Sequence, residues 1–251
     1  MSTEGKKAKS IVVIIPTYNE LSNLIDLIPA LKNVFQEGNM QGGVLIVDDN
    51  SPDGTAEFIN NNRAKFTAAD FFLDIMVRPS KLGLGSAYIQ GYDHAIQKYQ
   101  PDYILGMDAD FSHDPKYIKP LYDLLSSNEM VIGSRYVKGG GISNWKFHRR
   151  VFSRGASLYS QIVLNWPIKD PTTSFVGFRV EALTRIPYKK IKTHGYGFLS
   201  ELKYMAFKAG FSISEYPIIF TDRREGHSKL GKKMIFSTII NMLLLRFRKY
   251  K

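Results

Sequence analysis

Residues 105–115 read LGMDADFSHDP and set three carboxylates, Asp108, Asp110 and Asp114, directly after a short apolar run. Apolar strands seldom end in clustered negative charge unless something positive is meant to sit there. Asp108 and Asp110 can both reach one ligand where the backbone turns at the strand end. Hard carboxylate oxygens suit magnesium or manganese, above all when the phosphates of a substrate complete the shell. Asp110 is the first choice as a direct ligand, and Asp108 could bind ribose hydroxyls or a water on the metal. The same residue types also make loops and caps, and Asp114, standing before Pro115, fits a helix N-cap.

A second acidic stretch, VDDNSPDGTA (47–56), is open in the same way. Asn, Ser, Pro, Asp and Gly make turns for steric reasons, and the carboxylates could instead accept hydrogen bonds from a nucleobase or ribose. LGLGSAYIQG holds glycines but no Walker lysine, and no dinucleotide fingerprint directly after a strand. That excludes a P-loop and argues against a nicotinamide site.

These stretches need elements to position them. SIVVIIPTYNE reads as a buried strand broken by Pro16 and followed by a loop, and LSNLIDLIPALKNVF as a helix by its apolar spacing, Pro29 apart. GGVLIVDD, FFLDIMVRP, DYILGMDADFS and MVIGSRY read as further strands, with helices over GTAEFINNNRAKF, GLGSAYIQGYDHAIQKY and PKYIKPLYDLLSSN between them. Alternation of this kind predicts an α/β protein with a mostly parallel central sheet flanked by helices. Ligands of such sheets bind at the carboxyl ends of the strands. The stretches from Pro16 to Glu20, Asp48 to Asp53 and Asp108 to Asp110 all fall there, so three strand ends converge on one crevice.

At 251 residues the chain suits one large domain or two small ones. It has no cysteine, which excludes disulfides and thiolate metal sites and fits a reducing compartment. MSTEGKKAKS lacks the apolar core of a secretory signal, and residues 1–10 are expected to be a flexible segment. The net charge of +11 is uneven, −6 over residues 1–132 and +17 over 133–251, so the second half suits an anionic partner. Nucleic acid, an anionic membrane and a phosphorylated substrate all meet that description. Carboxylates at the strand ends would repel a phosphate backbone, which argues against nucleic acid. VKGGGISNW (137–145) is rich enough in glycine to be mobile.

PTYNE, VDDNSPDGTA, DADFSHDP, GSRY and DRREGHSKLG occur in the order and approximate spacing of the dolichol-phosphate mannose synthases, and the chain resembles that family from about Ile11 to Gly231. Each motif alone is weak, but five in register are specific. These enzymes are inverting glycosyltransferases of GT-A (nucleotide-diphospho-sugar transferase) fold. The resemblance implies a GT-A domain over residues 11–231 that transfers mannose from GDP-mannose to dolichyl phosphate with a divalent cation, Mg2+ or Mn2+. It implies that Pro16, Tyr18 and Glu20 line the nucleotide pocket and that Val47 and Asp49 contact the guanosine. Asp108, Ala109 and Asp110 would hold the sugar nucleotide, with Asp108 and Asp110 on the metal. Arg135 of GSRY would meet a phosphate of donor or acceptor, while Arg223 and Lys229 would neutralise the diphosphate. Where some relatives have Gln, this chain has Ser112, to which no role is assigned. A polyprenyl-phosphate glucosyltransferase using UDP-glucose shares the acidic motifs in kind, and the GHSKLG register favours mannose.

The implied chemistry needs no strong base. A lipid monophosphate is already mostly anionic at neutral pH, its second pKa lying near about 6. The diphosphate leaving group needs a metal and fixed cations rather than a proton. No catalytic His or paired Glu is therefore nominated, and Asp110, Arg135, Arg223 and Lys229 are the expected catalytic groups.

The stretch WKFHRRVFSRGASLYSQIVLNW, phased as a helix, has one cationic and one apolar face, as an interfacial helix would. An ordinary core-facing helix with a wet basic side fits equally. Arg149 is the expected contact for the lipid phosphate by register. The basic tail, residues 232–251, contains an apolar run from Met234 to Leu245, short of the roughly 20 residues a spanning helix needs. It is expected to lie on a membrane, pack on the core or meet a partner. Family members without a spanning tail depend on small membrane subunits, which implies a peripheral place on the cytosolic face of the endoplasmic reticulum.

Overall fold

The protein was analysed as a computed structural model that describes residues 9–191, 193, 195–222 and 232–248. The apolar, largely β-branched runs form the strands: β1 (Ser10–Thr17), β2 (Gln41–Asp48), β3 (Phe71–Val77) and β4 (Tyr103–Gly106). Between them lie α1 (Leu21–Glu37), α2 (Thr55–Phe66) and α3 (Leu84–Tyr99). A single 3₁₀ turn (Pro115–Tyr117) leads into α4 (Ile118–Leu124), followed by β5 (Met130–Ser134), β6 (Gly141–Ile142) and the long helix α5 (Phe147–Leu164). Then come β7 (Val176–Arg179), α6 (Val180–Leu183), α7 (Tyr196–Lys208), β8 (Ile213–Pro217), β9 (Ile219–Phe220) and α8 (Lys232–Phe247).

The main sheet has the order β3-β2-β1-β4-β7-β5-β8. All neighbours are parallel except β7, which runs antiparallel between β4 and β5. Successive residues of β1 face opposite layers, as the two-residue strand period requires. Val12 and Ile14 join one core with Tyr88, Tyr92 and Phe198, while Ile11, Val13 and Ile15 join the other with Leu27, Leu31 and Phe35. Burial on both faces explains why the strands read as continuous apolar runs.

In register, Thr17 stands opposite Asp48 and Ile14 opposite Gly106, so β1, β2 and β4 release their chains at one edge. The strand does not break at Pro16 as expected but runs on to Thr17. Alternate residues of β1 address β2 and β4, and pairing with β4 ends at Ile14. Pro16 falls past the last pair, where its missing N–H breaks no ladder bond. Helix α1 likewise continues through Pro29.

One further expectation is corrected. The glycine-rich stretch after β5 is tied down, because Gly141 and Ile142 pair with Ile219 and Phe220. Its turn needs a glycine, since a Cβ on Gly140 would lie 2.6 Å from the Ser134 carbonyl oxygen. Of the three places open to the tail, packing on the core is one that it takes. Helix α8 packs on α5 and α7, with Met242 and Leu245 buried, and Arg246 Nη1 donates to the Val163 carbonyl at 2.6 Å. Among the described residues no helix is long and apolar enough to cross a membrane.

Candidate active site

The crevice is built from the edge where β1, β2 and β4 end. Beyond β1, Tyr18 lies under the Lys81 ammonium, 3.5 Å from its ring centroid, and Glu20 accepts from Asn23 Nδ2 at 2.8 Å. Asp48 closes β2 as a buried acceptor for Thr17 Oγ1 (2.8 Å), Ser51 Oγ (2.6 Å) and the Ser51 amide (2.8 Å). It thereby staples the first two strand ends together. Asp49, beside it, is ion-paired to the buried Arg78, whose Nη2 also donates to the Gly83 carbonyl at 3.1 Å. Val47 is fully buried, packed beneath Gly91 of α3. Its side chain belongs to the core, so the expected contact of Val47 with a guanosine is not available to that side chain.

The third strand end carries the opening motif. Asp108 Oδ1 accepts from Ser174 Oγ at 2.6 Å, and its amide donates to His113 Nδ1 at 3.2 Å. Ala109 is buried, and Asp110, also largely buried, accepts from the Ser112 amide at 3.1 Å. Phe111 adopts a positive φ of 58°, which folds the loop back sharply enough for His113 to reach Asp108. Asp114 takes the capping role: Oδ1 accepts from the Lys116 amide at 3.0 Å, and Oδ2 pairs with Lys116 Nζ at 2.7 Å. The three carboxylates thus divide, with Asp108 and Asp110 turned into one loop and Asp114 ending it.

His113 was not singled out by its sequence context, yet it is the centre of this loop. Its ring stacks on Phe175 at 4.8 Å between centroids and meets Phe220 edge-on at 5.5 Å. Burial pushes its pKa down to about 3, against the pull of Asp110, so the imidazole is neutral at neutral pH. With Nδ1 accepting from Asp108, the proton belongs on Nε2, which faces Thr173 Oγ1 at 3.5 Å.

Arg135, expected to meet a phosphate, is buried and held by a residue the sequence did not suggest. Its Nε and Nη2 donate to Asp170 at 2.7 and 2.6 Å, its own amide donates to the same carboxylate at 3.0 Å, and Nη2 also donates to Thr172 at 2.9 Å. Burial alone would raise the pKa of Asp170, but the charge and hydrogen bonds of Arg135, with help from Lys203, more than offset it and hold the carboxyl below its usual range. Arg149, in the first turn of α5, stacks on Trp145 at 3.7 Å and pairs with Asp222 at 3.1 Å. Trp145 in turn meets Phe220 edge-on at 5.6 Å. Arg223 and Lys229 lie outside the described residues.

Nearby, α5 presents an apolar face to solvent. Phe147, Phe152 and Ile162 are 81%, 70% and 69% exposed, with Val151 and Leu158 between them and Lys146, Arg150 and Arg154 alongside. Helix α8 adds Leu243, Leu244 and Phe247 to the exposed apolar surface.

Among the described residues no group of three or more His, Asp or Glu side chains forms a closed metal cage. Asp108 and Asp110 are two hard oxygen donors on one loop. That donor set fits a magnesium-like ion that keeps part of its shell for substrate phosphates.

The model of the glycosyl transferase family 2 matches residues 12–186. An undecaprenyl-phosphate mannosyltransferase of Micrococcus luteus is 34% identical over 232 residues, covering 92% of each chain. A polyprenol monophosphomannose synthase of Mycolicibacterium smegmatis is 38% identical over 222 residues, 88% of this chain and 80% of the relative. Among solved structures, glucosyl-3-phosphoglycerate synthase from Mycobacterium tuberculosis, in complex with Mg2+ and UDP, superposes with a TM-score of 0.67 at 16% identity, covering 96% of this chain and 80% of that one. That neighbour shares the fold: the expected GT-A architecture, with its mostly parallel central sheet, is the one found. The matched model covers most of the chain and both relatives extend over nearly all of it, so this protein is a member of glycosyl transferase family 2.

Proposed function

We propose that the protein transfers mannose from GDP-mannose to a polyprenyl phosphate of the dolichyl type, with inversion at the anomeric carbon. The observation that carries this reading is a bridge between two dissimilar surfaces. The acidic loop after β4 connects through His113, Phe220 and Trp145 to Arg149, at the head of the exposed apolar and cationic helix α5. A water-soluble sugar nucleotide suits one end and a lipid phosphate the other. The names of the two relatives, both mannosyl transferases to polyprenol-type acceptors, support the same pairing.

In this reading Pro16, Tyr18, Glu20 and Asp49 receive the nucleoside, and Asp108 and Asp110 hold the donor side with a divalent cation. When bound, the cation offsets charge developing on the departing diphosphate. Arg149 receives the acceptor phosphate, whose oxygen attacks the anomeric carbon of the sugar. The bond from that carbon to the diphosphate breaks on the opposite face, and its electron pair leaves with GDP. Two anions must approach, so the work of the protein is orientation and screening, with Arg223 and Lys229 from the late basic loop contributing cations. Arg135, already paired with Asp170, contributes as a fixed positive edge to the crevice. The exposed faces of α5 and α8 would rest on the membrane that carries the acceptor. With dolichyl phosphate as acceptor, that surface is the cytosolic face of the endoplasmic reticulum, and small membrane subunits would secure the attachment.

The test is to incubate the purified chain with GDP-mannose or UDP-glucose, polyprenyl phosphate in detergent, and Mg2+ or EDTA. Metal-dependent mannosyl phospholipid is the expected product. Glucosyl lipid alone would overturn the donor assignment, and no lipid product with either donor would overturn the reaction class.

A further inference from the structure

Lys203 lies in the middle of α7 with no exposed surface. A buried ammonium is costly unless hydrogen bonds compensate it. Here Nζ donates to two backbone carbonyls, Pro171 at 3.0 Å and Thr173 at 2.7 Å. Ser200, one turn earlier on the same helix, donates its hydroxyl to the Pro171 carbonyl at 3.1 Å. Helix α7 therefore grips the segment 170–174 from beneath. That segment lies outside the strands, so its inward carbonyls have no ladder partner and would be orphaned without these donors.

The side chains of the same segment reach the crevice. Asp170 clamps Arg135 and Thr172 takes a further bond from it, Thr173 lies against His113, and Ser174 donates to Asp108 at 2.6 Å. A shift of this segment would move Arg135, His113 and Asp108 together. We infer that Lys203 is a positioning residue: by anchoring the carbonyls of Pro171 and Thr173, it sets the placement of Asp108 and Arg135 in the crevice. Burial pushes the lysine pKa down to about 7, while the charge of Asp170 pulls it up, so Asp170 serves both buried cations. Nothing in the stretch SELKYMAF marks its lysine for this role, since both carbonyls it meets lie about 30 residues earlier in the chain. The assignment rests on the donor-side role given to Asp108 above, but its structural core can be tested separately.

The experiment compares full-length wild-type protein with Lys203→Met, which keeps side-chain length and removes the donors. Two readouts are taken: amide hydrogen exchange, and GDP affinity with and without Mg2+. Exchange across 107–113, a segment apart from the two carbonyls that Lys203 holds, is expected to accelerate while β1 and β2 remain protected. The Mg2+-dependent part of GDP binding should weaken by roughly 10-fold, as for loss of a group that orients a ligand. Metal-free GDP affinity should stay within about 2-fold, because the nucleoside end of the crevice stands on β1 and β2. Unchanged exchange at 107–113 with unchanged Mg2+-dependent binding, despite lower stability, would make Lys203 a structural residue only and overturn the inference. Should Lys203→Met not fold, Ser200→Ala decides the matter: it removes one anchor, and a change of about 2- to 3-fold in the same direction is expected, none being the refuting result. If wild type binds no GDP at all, the GDP-mannose donor assignment fails, and hydrogen exchange alone still decides the role of Lys203.

Discussion

Arg135 and Asp170, 35 residues apart in the chain, form a buried two-pronged ion pair with N–O distances of 2.7 and 2.6 Å. The pair joins the end of β5 to the segment entering β7, across one of the two antiparallel junctions of the sheet. Removing one partner leaves the other charged and dry. Arg135→Ala is expected to cost about 3–5 kcal/mol in urea unfolding. The double variant Arg135→Met with Asp170→Leu should recover part of that loss without recovering transfer, the remainder reflecting Lys203 left without its carboxylate. A double variant no more stable than Arg135→Ala would show that the pair is not the source of the cost.

The division within DADFSHDP is open to direct comparison. Asp110→Asn is expected to lower transfer by at least about 100-fold, since it weakens a ligand on the donor side. Asp114→Asn should stay within about 2-fold, because Asn caps nearly as well as Asp. Equal losses from the two substitutions, assayed side by side at saturating Mg2+, would contradict the division.

Acid should act on His113. Its pKa falls from 6.5 in the unfolded chain to about 3 in the fold, so between those values the unfolded state binds the proton and the native state does not. Stability contributed by the neutral ring is therefore complete above pH 6.5 and declines as the pH falls toward 3. Urea unfolding of metal-free protein at pH 7 and near pH 4.5 should show wild type losing on the order of 2 kcal/mol more than His113→Asn. Equal losses would mean that the ring is not held neutral.

The C-terminal helix is expected to serve two separable purposes. Glu201 is fully buried, hydrogen-bonded to Thr193 at 2.6 Å and ion-paired with Arg248 at the end of α8. Deleting 232–251 would strand that carboxylate and uncover the surfaces of α5 and α7 on which α8 packs, so it should destabilise the whole domain. Arg248→Ala alone should cost about 1–3 kcal/mol. The exposed side chains are a different matter. Leu243→Ser with Phe247→Ser should leave the unfolding midpoint almost unchanged and reduce co-sedimentation with anionic liposomes by about 10-fold. Unaltered sedimentation would rule out a membrane role for that face.

Much of the crevice was legible in the residue order. Apolar runs ending in Asp48 and Asp108 are local patterns, and in a parallel sheet local patterns suffice to bring strand ends to one edge. The capping by Asp114 was likewise visible, because a cap joins residues two positions apart. What only the tertiary structure decided depends on contacts between distant segments. Strand β7 has four residues with a glycine among them, too short a run to show a period, and it exists because β4 and β5 present edges on either side. Arg78, Asp170, Lys203 and Glu201 drew no notice, since nothing in a sequence marks which cation will meet which carboxylate after burial. Val47 looked like part of a binding motif and went to the core, because alternate residues of a strand face opposite layers and its own layer is filled by α3. The residues able to do chemistry were thus set out by the order of the chain, while the partners that hold them still were chosen by packing.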